Sequence, residues 1–462
     1  MLKLIFGTLV SVLVLVSLIV VFYWRDIKYN PSNSDFLIYF GLIPLGLTML
    51  IVAPVMIKKW YTSQQEKKEQ QQLEEKNRTE SKANLEAVTE EKIEWVALKV
   101  FATSNLSALG ENGTHIQQLK EGVSAELDPQ LVNGYGLPIL SYRIQEIEDS
   151  LDDESSVSSR QKRISALIRQ QLEQNTEILF QIAEHLKNSA LFFDAKLAHE
   201  YRMHPAWINP NHEDSDEPIE QTVAEAVPRL NRLNVHIILP ENLFHVWNES
   251  EGSELVHNYL TELGIIDQQF DTEYHYWGET TAYKDWIKLL KRMDLQDSEV
   301  SLFIAVDSEV DQETVDDRTW MSEKYIPSEY ISTCCLTNSQ VELQHLQATK
   351  NIRIALNSNQ AVKTLKQLNV DLTEQLDQEQ PFVWVLDDQT DYKQAKKLEQ
   401  NFAETEIAAH HYLYSKDSLG HTQALSKIFS FMLSLHVDDT LYAYVYSADH
   451  QQTQVVVGTE FA

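Results

Sequence analysis

Residues 4–24, LIFGTLVSVLVLVSLIVVFYW, carry no charged side chain, and residues 36–57, FLIYFGLIPLGLTMLIVAPVMI, carry none either. A chain that crosses about 30 Å of hydrocarbon must satisfy its own backbone N–H and C=O groups, and about 20 apolar residues in a helix do so. Each run is long enough. Tyr23, Trp24 and Trp60 stand at the ends, where amphipathic rings favour the headgroup level. The expected fold therefore begins with two transmembrane helices within residues 1–60. A cleaved leader is the competing reading of the first run, weakened by its length, the lack of a small-x-small site and the second run behind it. The loop between the runs is balanced, Arg25 and Lys28 against Asp26 and Asp35, whereas Lys3 precedes the first run and Lys58, Lys59, Lys67 and Lys68 follow the second. Positive flanks stay on the cytoplasmic side, which places both termini there.

Residues 1–60 carry a net charge of +3 within a chain of −31, so everything after them carries −34. Phosphate backbones and anionic headgroups are bound by clustered Lys and Arg, so an acidic body excludes nucleic acid as a partner. Glycine is scarce, 13 in 462 residues, against about 7% in average proteins. Backbone cradles for phosphate depend on Gly-rich turns, and no GxxxxGK, GxGxxG or GxSxG stands in the sequence. No cofactor is expected. The two cysteines, Cys334 and Cys335, are adjacent and cannot close a useful loop, which fits a reducing compartment. Two small apolar side chains on a buried strand are their plain reading.

Residues 61–92 are Gln/Glu/Lys-rich and read as a polar linker. Residues 149–160 and 209–218 read as exposed polar loops, and no internal repeat is visible. Strands are expected at 94–103 and within 136–144, followed by one long amphipathic helix over 161–187, where Ile164, Leu167, Ile168, Leu172, Leu179, Ile182 and Leu186 fall at three- and four-residue spacings. From residue 232 the pattern alternates. Strands are expected at 234–240, 300–306, 329–336, 382–386, 410–414, 441–447 and 453–457. Helices are expected at 253–263, 282–293, near 360–369, 393–402 and 422–435. Such alternation implies an α/β body with a largely parallel sheet covered on both faces. The expected domains are residues 93–231 and 232–462.

HEYRMH (199–204) places its histidines five apart, about 140° around a helix, so they cannot share a metal from one face. His212 lies in an acidic loop. DSEVDQETVDDR (307–318) has alternating carboxylates but no Gly at the sixth place and Arg318 at the twelfth, so it reads as a solvated acidic loop rather than a calcium site. No metal is expected.

Four stretches give the second half a family resemblance: LFIAVDS (302–308), YIPSEYISTCCLT (325–337) with Ile326, Pro327 and Glu329, YSKDSLGHTQALSKIFSFMLSL (414–435), and YVYSADHQQTQVVV (444–457) with Ser447 and Thr453. In that order they resemble the thiolase-like condensing enzymes, such as the β-ketoacyl synthases. The resemblance implies a thiolase-like domain whose chemistry uses a cysteine at a helix start and two histidines that stabilise oxyanion charge. Here GETTAYKDW (278–286) stands at the nucleophile turn with Tyr283 at the matching position, and an unperturbed phenol near pKa 10 is a poor thiolate substitute. Where the first histidine should follow strand 382–386 stand Asp387 and Asp388. Lys416 and His421 match the family's remaining pair, but catalytic groups act as a unit. Tyr283, Asp388, Lys416 and His421 therefore read as degenerate active-site positions, and no catalytic residue is expected.

EWVALKVFATSNLSALG (94–110), YGLPILSYRI (135–144) and FIAVDSEVDQETVDDRTW (303–320) complete a layout that resembles the adaptors of type VI secretion lipase effectors. This implies a non-enzymatic protein of the bacterial inner membrane, anchored through residues 4–57, with its soluble body in the cytoplasm. Its implied partners are a lipase effector and the secretion spike. Two alternatives remain: an acyltransferase or condensing enzyme of the thiolase-like fold, and a structural envelope component without cargo.

Overall fold

The computed structural model describes residues 93–148, 151, 158–207, 226–319, 325–378, 380–387, 392–420 and 424–461, with scattered positions between 13 and 46. The chain divides into two compact units, Met1–Glu91 and Lys92–Ala462. In the first, Ile38–Leu42 forms a π-helical turn. Among the described residues no helix is long and apolar enough to cross a membrane. Most of both apolar runs, the linker 61–92 and most of the polar loops at 149–160 and 209–218 lie outside the described residues.

The second unit opens with β1 (Glu94–Ser107), β2 (Gly110–Glu111), α1 (Asn112–Glu121), β3 (Glu126–Val132) and β4 (Pro138–Ser141). Three helices follow: α2 (Ser159–Gln174), α3 (Thr176–Phe193) and α4 (Ala195–Met203). Then come β5 (Arg232–Pro240), α5 (Glu249–Glu262), β6 (Phe270–Trp277), α6 (Ala282–Met293), β7 (Glu299–Ser308), α7 (Gln312–Thr319) and β8 (Glu329–Asn338). The last stretch holds β9 (Lys350–Leu356), α8 (Ala361–Gln367), α9 (Thr373–Asp377), β10 (Val383–Val385), α10 (Tyr392–Asn401), β11 (Tyr412–Tyr414), α11 (Ser426–Leu433), β12 (Ala443–Tyr446) and β13 (Thr453–Gly458).

The long helix expected over 161–187 is two helices. Its apolar spacing continues across the break, but Asn175 leaves the helix at φ −96°, ψ 11°. Its amide donates to Ser104 Oγ at 2.9 Å, to Thr333 Oγ1 at 3.1 Å and to the Gln171 carbonyl at 2.7 Å. A buried amide that finds two strand hydroxyls as well as a carbonyl of its own last turn outweighs one continued turn. α2 itself starts where Ser158 Oγ accepts from the Gln161 N–H at 3.4 Å.

β3 and β4 pair separately; the other strands form one 11-stranded sheet in the order β11-β10-β12-β13-β9-β1-β8-β7-β5-β6, with β2 beside β1. The sheet is mixed, not largely parallel. β6, β5 and β7 are mutually parallel, β8 is antiparallel to β7, and β1 is antiparallel to β8. The other half repeats this arrangement: β11, β10 and β12 parallel, β13 antiparallel to β12, and β9 antiparallel to β13. Numbered by chain order within its half, each five-strand unit reads 3-2-4-5-1. The antiparallel pair β1–β9 joins the two. The expected domain boundary after residue 231 therefore does not separate the chain, because β1 lies mid-sheet between β8 and β9 and its half is incomplete without it.

Three apolar clusters define the layers. α6 and α11, through Trp286, Phe429 and Phe431, share one cluster with Phe303 of the first half and Ile352, Trp384 and Val455 of the second. On the other face of the first half, α2, α3 and α5 pack Leu167, Leu179 and Val256 against Ile237 and Ile304. On the other face of the second half, α8 and α10 pack Leu365 and Leu398 against Val385 and Val456. The order is helices, half-sheet, a central helix pair, half-sheet, helices. All ten residues of β8 are buried, as a strand covered on both faces requires.

Candidate functional site

α6 matches its expected bounds, and Tyr283 is its second residue. The spacing that puts Trp286, Leu290 and Met293 into the core also turns Tyr283 inward, where it is 2% exposed. Its hydroxyl finds no hydrogen-bond partner among the described residues. Burial, and secondarily the nearby Asp387 carboxylate, push the phenol above its usual value. It stays protonated at neutral pH. The ring of His450 lies 5.9 Å from that of Tyr283.

Asp387, two residues beyond β10, is buried. Its Oδ2 accepts from the Ala448 N–H at 2.6 Å, and its Oδ1 lies 2.7 Å from Lys427 Nζ. Lys427 also donates to Asp449. Desolvation alone would lower the Lys427 ammonium, but Asp387 and Asp449 outweigh it and hold its pKa above the ordinary value. Lys427 is thus a fixed cation rather than a proton acceptor. Asp388 lies outside the described residues.

Lys416 stands on a 3-10 turn, Lys416–Leu419, with Nζ 3.4 Å from Glu279 Oε1. Glu279 lies in the turn that leads into α6, so the structure does bring Lys416 to the Tyr283 side of the molecule. His421 lies outside the described residues. Gly420, beside it, has φ +60°. A Cβ there would stand 2.6 Å from Ser328 Cβ and 3.0 Å from the Ile326 carbonyl oxygen. The Gly-His stretch and the Ile-Pro-Ser-Glu stretch, distant in sequence, are thus packed backbone to backbone.

Glu329 of that second stretch is an anchor. It accepts from Arg163 through both oxygens at 2.6 and 2.9 Å, from Ser308 Oγ at 2.9 Å and from the Ile144 N–H at 2.6 Å. The two cysteines lie on β8 facing opposite cores, Cys334 toward α6 and α11 and Cys335 toward α2 and α3. Burial pushes both thiols up, Cys335 to about 12, so neither is a thiolate near pH 7.

The acidic stretch from residue 307 departs from its expectation. Asp307 and Glu309 are buried, not solvated. Arg160 lies 2.7 Å from Asp307, and desolvation together with Asp307 pushes Glu309 up to about 7. In HEYRMH, His199 sits on α4 and His204 ends it; His212 lies outside the described residues.

Sequence reasoning missed Lys427, although a lysine inside the apolar run SKIFSFML is itself a signal. It also missed β6, and with it the alternation of Glu273 and His275 opposite His236. Chemically, the described part of the Tyr283 site is a protonated phenol near Asp387, a carboxylate that shares Lys427 with Asp449.

No family model and no curated protein matches the chain. Among solved structures it is similar to the ketosynthase from module 6 of the bacillaene synthase of Bacillus subtilis, with 9% identity over 79% of this chain and 72% of that one and a TM-score of 0.42. The ishigamide ketosynthase/chain length factor shares 11% identity over 78% of this chain and 98% of its own, with a TM-score of 0.41. An oxazolomycin ketosynthase domain of Streptomyces albus shares 11% over 79% and 96%, with a TM-score of 0.36. Ketosynthases are thus what this chain is similar to, at identities and scores that carry no argument about its chemistry or partners.

Proposed function

We propose that this chain is a non-enzymatic, membrane-tethered adaptor built on a degenerate thiolase-like double unit. In this reading it binds a lipase effector of a type VI secretion machine and helps load it onto the spike. The observation that carries the reading is the ion-paired Lys427 between Asp387 and Asp449, beside a buried and protonated Tyr283. A condensing site needs an ionisable nucleophile and free oxyanion donors there. A cation already committed to two carboxylates offers neither. The duplicated five-strand unit is the kind of double unit the family resemblance implies. The two apolar runs supply the tether, and a body of −34 favours a partner with a basic face and a salt-sensitive association.

Two measurements test this. Full-length protein extracted in detergent at low salt is expected to carry a lipase and a spike component, identified by mass spectrometry and released at high salt. Recovery of neither speaks against the adaptor. Incubated with acyl thioesters, the purified protein is expected to stay unmodified; covalent acylation at Tyr283 returns the site to catalysis.

A further inference from the structure

We propose that His236, Glu273 and His275 form a binding site for a divalent transition-metal cation of the zinc type, on the outer end of the first half-sheet. His236 lies on β5 and the other two on the edge strand β6. In the parallel register His236 stands opposite Glu273, and Ile238 opposite His275. Residues two apart on a strand share a face, so this register gathers all three side chains on one side of the sheet. That side is the α6 side: His236 stacks on Phe303 at 4.7 Å between centroids, and Phe303 belongs to the α6 cluster.

The distances carry the inference. His236 Nδ1 lies 3.1 Å from His275 Nε2 and 3.4 Å from Glu273 Oε2, and His275 Nε2 lies 3.9 Å from Glu273 Oε1. Ligands about 2.0–2.1 Å from a tetrahedral zinc ion are about 3.3–3.4 Å apart; the two ring nitrogens are near that spacing, and a Glu273 oxygen lies within 4.8 Å of both, so a small turn of the half-exposed carboxylate completes one face of a tetrahedron. Two imidazoles and one carboxylate suit zinc-type ions better than calcium or magnesium. His236 is buried, with its side chain 5% exposed, and His275 is partly buried, with its side chain 12% exposed, while Glu273 is 47% exposed and leaves an entry path. Arg292, in the last turn of α6, lies 2.8 Å from Glu273 Oε2. It competes for that carboxylate and sets a limit on affinity. Three protein ligands leave a fourth position for water.

The test uses the full-length chain in detergent, stripped with a chelator and titrated with Zn(II) against a chromogenic competitor, then with Co(II) for its ligand-field spectrum. One tight site per chain is expected, with cobalt absorption of four-coordinate type and a raised thermal midpoint. His275→Ala and Glu273→Gln are each expected to weaken it by more than about 100-fold, beyond the range seen when outer partners of a ligand are changed. Glu273→Gln alters a half-exposed side chain and is the variant expected to fold normally; its circular dichroism and melting without metal check this. Arg292→Ala is expected to tighten binding. The proposal is overturned by the absence of stoichiometric zinc, or by a site whose affinity and cobalt spectrum survive both ligand substitutions, which would place the ion on other histidines.

Discussion

At the residue scale, two positions show how little of a motif's meaning lies in its letters. Gly420 looks like half of a catalytic Gly-His pair, yet what the structure demands of it is steric: φ +60° and no room for a Cβ against Ser328 and Ile326. Gly420→Ala is expected to cost about 2–4 kcal/mol, from backbone strain plus overlap. Urea unfolding measures it, and an unchanged midpoint would show that the contact yields freely. Lys427 was passed over because its helix otherwise reads as core. Replacing it by Met leaves Asp387 buried without a counter-charge, and a loss of about 2–4 kcal/mol is expected, below the full range for buried pairs because Asp449 is half in water. The same urea series applies. If Lys427→Met is neutral or stabilising, the ion pair is dispensable and the site is open to other readings.

At the element scale, legibility followed burial. α6 was read to the residue because a long apolar stripe on a basic helix has a single reading. β6 and β9 were not read. β6 is an edge strand of FDTEYHYW, with only Trp277 fully buried, so its polar face hid the pattern. β9 is seven residues holding Lys350 and Arg353, whose partners β1 and β13 lie far away in sequence. The break between α2 and α3 was likewise invisible, because Asn175 turns there for acceptors on β1 and β8. The join between α2 and β8 is the strongest of these long-range devices. Glu329→Ala leaves Arg163, itself buried, with only the half-buried Glu148 and the Ile144 carbonyl as partners, and is expected to cost about 2–4 kcal/mol, below the full range for a buried pair. The double variant Arg163→Met with Glu329→Leu is expected to recover part of that loss, since no charge is then left unpaired. Strict additivity in a thermal-melt cycle would show that the two side chains act independently.

At the scale of the whole molecule, the organising fact is the duplicated unit joined at β1–β9. Its polar interior makes a pH prediction. His115 and His436, on segments packed against β1, are lowered to about 3 and about 4, chiefly by burial, then His115 by the nearby His436 and His436 by Lys350. Both lie below the unfolded value of about 6.5. Their contribution is therefore full above pH 6.5 and is lost as pH falls toward the folded values, by at most about 1.4 kcal/mol per unit for each. Glu309, raised to about 7, acts with the opposite sign, losing stability as pH rises through 7. Two histidines outweigh one carboxyl, so the urea midpoint is expected to fall from pH 6.5 to pH 5. A midpoint that rises instead would mean these imidazoles are charged in the folded state. The sequence by itself determined the apolar runs, the acidic body and the α/β class, because composition and local periodicity are properties of neighbouring residues. Only the tertiary structure decided the mixed sheet, the place of β1 within it, the pairing of Lys427 and the meeting of His236 with His275. Those depend on which distant segments share a strand pair or a buried face, and one chain's local pattern does not encode that.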